Sequence, residues 1–335
     1  MAALLKAMNN VYIARGVAGL AALITLVFWQ TAAAPFAQIL TPQPEAPEPT
    51  VIFMGDIMLD RNVAKYGAAH GTSTLFAGVV DYLQTADARV ANLEGAITLN
   101  ASIAQVDNTI LHFTFDPAFA RDVLRPLNLT AVSLANNHTY DFGRAGYDAT
   151  QGYTKEWSIR SFGHPYNARD LGAALNVRDK EICMIGYHSL YDATTTEVMK
   201  EIELYRPHCY RLVVFAHWGD EYTPVANAAQ VAAAHAFVDA GADLVIGAHP
   251  HVVQNVEEYK GRAIFYSLGN FMFDQNFSWA TTHGLMVKVT FGEEETRFEL
   301  TPVTIKNQEV SLSNEADSAR VLEAAGRLAQ WSLPW

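Results

Sequence analysis

From residue 50 onward the chain alternates short apolar runs with longer stretches whose apolar positions recur at helical spacing. Val51-Ile52-Phe53-Met54, Ala88–Ala91, Ala131–Ala135, Ser158–Phe162, Glu181–Tyr187, Arg211–Ala216, Leu244–Ile246 and Ala263–Leu268 each predict a strand. Between them, Leu75–Leu83, Asp116–Arg125, Gly146–Glu156 and the alanine-rich Ala226–Ala240 predict helices, with Asp116-Pro117 as N-cap and first position. Strands alternating with helices describe an α/β domain. His283–Thr290 and Arg297–Ile305 read as closing antiparallel strands about a turn at Gly292-Glu293, and Asp317–Trp331 as a final helix.

The pattern is different before residue 50. Gly16 to Ala34 carries no charge and follows Lys6 and Arg15. That length suits a bilayer-spanning helix with its N-terminus in the cytoplasm, and Trp29 suits the far interface. The small residues at Ala32–Ala34 and Ala37 also fit a cleaved signal peptide, which would make the protein secreted. Both readings place the rest of the chain outside the cytoplasm. Prolines 42, 44, 47 and 49 then make a semi-rigid spacer. The expected organisation is a cytoplasmic N-terminus and anchor at 1–40, a linker at 41–50, a domain at 51–306 and a tail at 307–335.

Composition narrows the function. Half the 335 residues are hydrophobic and 17% are charged, so the chain folds rather than staying disordered. A net charge of -12 with no basic run argues against a nucleic-acid partner. An anionic polymer would need metal ions or a local basic patch to bridge it. The two cysteines, Cys183 and Cys209, make no disulfide framework and read as separate thiols.

The chemistry gathers where the apolar runs stop. Gly247-Ala248-His249-Pro250-His251 follows a strand and puts two imidazoles one residue apart, on one side if the backbone stays extended. Asp56, Glu94, Asn137 with His138, and His217 stand at the ends of other predicted strands. Ligands in open α/β folds bind beyond the carboxyl ends of strands. Carboxylate, amide and imidazole donors without thiolate suit manganese, iron, zinc or magnesium, one ion or two, with Glu94 as a possible bridge.

The ordered blocks GDIMLDR from Gly55, NLEG from Asn92, LANNHTYDFG from Leu134, HWGDEY from His217, GADLVIGAHPHVVQ from Gly241 and YSLGNFMFD from Tyr266 resemble the capsule synthesis protein CapA family, within the calcineurin-like metallophosphoesterase superfamily. The resemblance runs from Val51 to about Thr304. It implies a four-layer α/β/β/α sandwich with two mixed sheets, of the metallo-dependent phosphatase type. It implies metal ligands at Asp56, Glu94, Asn137, His217, His249 and His251, and an acid or transition-state role for His138. It further implies a membrane-anchored protein working outside the cytoplasm with poly-γ-glutamate and other capsule synthesis membrane proteins. Two positions depart from the phosphoesterase pattern. Met58 stands where that pattern has histidine, and Glu94 where it has aspartate. An exported hydrolase of phosphoesters or polyglutamate amides is the alternative, and a metal-free scaffold the third reading.

Overall fold

The computed structural model describes residues 47–107, 109–191 and 194–335. The expected span at Gly16–Ala34 and most of the linker lie outside them. Among the described residues no helix is long and apolar enough to cross a membrane.

The chain forms an α/β fold built on two mixed sheets. In the nine-stranded sheet, Thr50–Ile57 runs parallel to Ala88–Leu93 and antiparallel to His283–Phe291; Ala131–Ser133 and Arg160–Phe162 extend the parallel side. In the six-stranded sheet, Lys180–His188, Arg211–His217, Leu244–Ala248 and Arg262–Phe265 are parallel, with Gly172–Val177 and Val256–Tyr259 as antiparallel edges.

The period-two alternation of strands sorts side chains into apolar layers. Val51 and Phe53 pack with Met184, Val213, Phe215, Leu244 and Ile246, so the two sheets share one core. Ile52 and Met54 turn the other way, against Val63, Val123 and Tyr147 from helices at Arg61–His70, Pro117–Leu124 and Gly143–Glu156. On the far side, Ile185, Leu212, Val214 and Val245 meet Val198 and Ile202 of helix Thr196–Tyr205 and Phe237 of helix Ala228–Ala240. This is why the central strands are apolar on both faces.

Two helix expectations change. Leu75–Leu83 is no continuous helix: only Val80–Leu83 is helical, because Gly78 bridges to Ser311 and a Cβ there would strike that strand. The last helix runs Glu315–Ala325, capped by Asn314 and stopped by Gly326 at φ +65. The chain then forms strand Gln330–Pro334 on Glu295–Lys306, with Trp331 stacked on Phe298 at 4.7 Å.

The cysteines are also not separate thiols. Cys183, in a buried strand, and Cys209, just after the helical turn Arg206–His208, form a disulfide with Cα atoms 5.8 Å apart. Strand Lys180–His188 packs against the helix that leads to Cys209, which brings together residues 26 apart in sequence.

Candidate metal centre

Asp56 is the last residue but one of the first strand and is fully buried. Gly55 before it touches the Gly269 backbone so closely that a Cβ would collide with that carbonyl, which also accepts the Asp56 N–H at 3.1 Å. Asn92 and Asn270 are its register partners on the flanking parallel strands. Asn92 Nδ2 donates to Asp56 Oδ1 at 2.7 Å, and the His249 backbone N–H donates to Oδ2 at 3.1 Å. Asn92 Oδ1 in turn accepts from Asn136 at 3.0 Å, tying the strand ends together.

His249 and His251 do not sit on an extended strand. The strand ends at Ala248, and both histidines have positive φ, +95 and +58. Such backbone costs roughly 1–3 kcal/mol per residue and is held only where surroundings demand it. Its effect is to bury both rings, 5.8 Å apart, beside Asp56 and Glu94.

The hydrogen-bond pattern fixes which nitrogens are available. Asn270 Nδ2 donates to Gln275 and Thr281, so its Oδ1 is an acceptor, 3.0 Å from His251 Nδ1. Asp56 Oδ2, at 3.3 Å, is the other neighbour of that nitrogen. His251 Nδ1 therefore carries the proton, and in the neutral ring the lone pair lies on Nε2. That atom faces Glu94 Oε1 at 3.7 Å, and Glu94 Oε1 is buried without a hydrogen-bond partner. A buried carboxyl oxygen facing an imidazole lone pair is an arrangement that a cation would satisfy.

A second set of donors converges beside the first. His217 Nε2 and Asn137 Oδ1 are 2.8 Å apart, and the His217 ring is 4.7 Å from that of His249. His249 Nδ1 is buried and unpartnered. Burial pushes Glu94 well above its ordinary range, with the Asp56 charge adding to the effect. Burial also pulls His217 well below its usual value and His249 down to about 3, with other imidazoles contributing. Neutral imidazoles beside buried carboxylates form a donor set that fits a borderline or hard divalent ion.

Asp56, Glu94, Asn137, His217, His249 and His251 are thus brought to one place. Ligating atoms of Asp56, Glu94 and His251 lie within 4.8 Å of one another, as do those of Glu221, His249 and His251. His138 stands at the rim. Its Nδ1 lies 2.9 Å from Asp141 Oδ2, which also accepts the Phe113 N–H at 2.7 Å. A cleft of about 220 Å³ opens over it, lined by Arg61, Phe113, Tyr222 and Phe273 among others. Met58 belongs to the apolar layer, its sulfur accepting the Asp60 N–H at 3.0 Å. Asp60 points away from the site. It caps helix Arg61–His70 and accepts bonds from Ser102, Gln105 and Thr114.

Sequence reasoning missed Asn92, Asn270, Glu221 and Arg61. Asn92 and Asn270 lie inside the quoted blocks but were overshadowed by Glu94 and by the apolar run after Asn270.

Fold and site together define an α/β protein with carboxylate, amide and imidazole donors gathered from strand ends, a donor set of the kind that holds divalent ions. More particularly, the chain belongs to the bacterial capsule synthesis protein PGA_cap family, whose model matches residues 50–275. It is 32% identical over 271 residues to "PGA biosynthesis protein CapA" of Bacillus subtilis, covering 76% of this chain and 70% of that one. It is 31% identical over 251 residues to "Capsule biosynthesis protein CapA" of Bacillus anthracis, covering 68% and 61%. A solved structure from Thermus thermophilus aligns over 80% of this chain and 99% of its own, with a TM-score of 0.42 and 10% identity, too remote to carry an argument.

Proposed function

We propose that this chain is an extracytoplasmic component of poly-γ-glutamate capsule synthesis or export, of the metallo-dependent phosphatase type, anchored by Gly16–Ala34 and working through a divalent-metal site. The carrying observation is the confrontation of Glu94 Oε1 and His251 Nε2 at 3.7 Å with no proton donor for the carboxylate oxygen. Asp56, Glu94 and His251 would hold one ion, and Asn137, His217 and His249 would complete the site. When bound, manganese, iron, zinc or magnesium would neutralise the buried carboxylates and supply a Lewis acid toward a carboxylate, phosphoryl or carbonyl oxygen.

The remaining roles belong to the chain. Asp141 Oδ2 accepts a hydrogen bond from the Nδ1–H of His138, which leaves Nε2 as the nitrogen free to exchange a proton or hydrogen bond in the cleft. Arg61, ion-paired with Asp274 and set against Phe113, is the cleft's positive charge beside Asn62, Glu221 and Asp274. The Cys183–Cys209 disulfide supports export, because such bonds persist in oxidising compartments. The His138–Asp141 pair supports the alternative of a metal-dependent hydrolase acting on phosphoesters or polyglutamate amides.

Deleting the gene in its host tests the role. Surface polyglutamate should disappear, return with the parent gene, and stay absent with Asp56→Asn. Unchanged polymer in the deletion strain contradicts the proposal. Hydrolysis of polyglutamate or a phosphodiester by the metal-loaded protein would favour the alternative.

A further inference from the structure

Glu221 stands on the turn that follows strand Arg211–His217 and lines the cleft that opens over the site. The turn bends through two positive φ angles, +87 at Gly219 and +63 at Tyr222. Gly219 takes the first at no steric cost, packed against the Gln230 side chain. Tyr222 has no such freedom, and its strained backbone is held by two links to the histidine turn. Its N–H donates to the Pro250 carbonyl, between His249 and His251, at 2.8 Å. Its hydroxyl accepts from Gln275 Nε2 at 3.1 Å, Gln275 Oε1 accepts from Asn270 Nδ2 at 3.1 Å, and Asn270 Oδ1 accepts from the His251 Nδ1–H at 3.0 Å. The turn that carries Glu221 and the turn that carries both histidines are thus one unit.

The result is that ligating atoms of Glu221, His249 and His251 lie within 4.8 Å of one another. His251 belongs equally with Asp56 and Glu94. Its Nδ1 is committed to Asn270, which leaves one lone pair, on Nε2. One lone pair serves one ion, so the two groups share an ion rather than hold one each. Each group also contains an orphaned buried atom, Glu94 Oε1 in the first and His249 Nδ1 in the second. Asp56 and Glu94 are fully buried, whereas Glu221 reaches the site from the cleft. Burial pushes Glu94 up, and the charges of Asp56 and Glu221 push it further, so three carboxyl groups crowd one place. His188, whose ring lies 5.7 Å from that of His217, is in neither group.

We propose that Glu221 is a further metal ligand, closing from the cleft side the ion held by Asp56, Glu94, His249 and His251. The proposal rests on the metal reading above and adds an oxygen donor to it. Loss of a residue that merely supports a ligand costs roughly 10–100-fold in affinity. Removing the Glu221 carboxylate should therefore weaken binding at least about tenfold.

The test uses the full-length chain in detergent, stripped of metal and titrated with cobalt(II). Glu221→Gln alters an exposed side chain, so its circular dichroism should match the parent's. Its affinity should fall, and its visible cobalt spectrum at saturation should differ from the parent's. Asp220→Asn removes an equal charge from the neighbouring residue and should leave affinity and spectrum at the parent's values. If the two variants weaken alike, Glu221 acts by charge alone and is not a ligand. A saturated Glu221→Gln spectrum identical to the parent's puts Glu221 outside the coordination sphere. That outcome overturns the inference while the metal reading stands. A parent that takes up no cobalt overturns the two together.

Discussion

The two sheets contribute unlike chemistry to one place. The nine-stranded sheet brings oxygens: Asp56, Glu94 and the Asn137 amide, positioned by Asn92 and Asn136. The six-stranded sheet brings nitrogens: His217, His249 and His251, each at or just past a strand end. The oxygen half is rich in buried carboxyl groups, and the imidazole half is held mostly neutral by burial. Neither half is satisfied alone, and a cation between them would satisfy both. The sheets share one apolar core, so the strand packing that holds the fold also sets the distance between the halves.

Breaking either half should have the largest effect. Asp56→Asn and His249→Ala are each expected to lose bound metal entirely while circular dichroism stays that of the parent, because burial in the three apolar layers supplies the stability. The two halves should differ once metal is removed. Glu94→Gln removes a carboxyl that burial holds protonated until the pH passes its raised folded value, so above that value the metal-free variant should melt a few degrees above the metal-free parent.

The disulfide provides a weaker perturbation, from behind the imidazole half. Cys183 lies on the strand that ends in His188, and the bridge closes a loop of 26 residues. Chain entropy puts its contribution at about 3–4 kcal/mol. Reduction, or Cys209→Ser, should lower the melting temperature by roughly 5–10 °C. An unchanged melting temperature would mean the bridge is absent or immaterial.

Acid and base should act on the halves in opposite directions. The folded pKa of His188, about 4, lies below the ordinary 6.5, so between these values the unfolded chain binds more protons. His249, at about 3, behaves alike. Metal-free stability should therefore fall as pH drops below about 6.5. Glu94 is raised above 4.5, so it favours the fold while protonated, and that contribution fades as pH rises through its folded value. Metal should remove the loss on the alkaline side, which thermal melts at several pH values with and without manganese would detect.

The smallest effect on metal is expected from His138→Ala. Its partner is Asp141 at the cleft rim, so metal content should match the parent while any hydrolytic activity falls, by roughly 100-fold or more.

Much of this arrangement was legible in the sequence because the same code recurs: an apolar run, then a break, then a donor. That code marked Asp56, Glu94, Asn137, His217, His249 and His251 for tertiary structure to gather. It did not reveal the turn through positive φ that carries His249 and His251 inward, since i and i+2 converge without it only on an extended chain. Glu221 escaped because its place depends on the Tyr222 N–H reaching the Pro250 carbonyl, a contact that only the fold makes. The disulfide escaped for a similar reason, since pairing depends on how one strand packs against the next helix. Leu75, Phe76, Val79 and Leu83 do bury a helix-like set of positions, yet close contact at Gly78 selects turns there instead.

The central claim is that a divalent ion joins the two halves. The most direct measurement is metal content per chain of the full-length protein, by mass spectrometric elemental analysis, as purified and after manganese or zinc is supplied. The expected result is at least about one ion per chain, lost in both Asp56→Asn and His249→Ala. A folded parent that carries no metal and binds none when supplied would contradict the account.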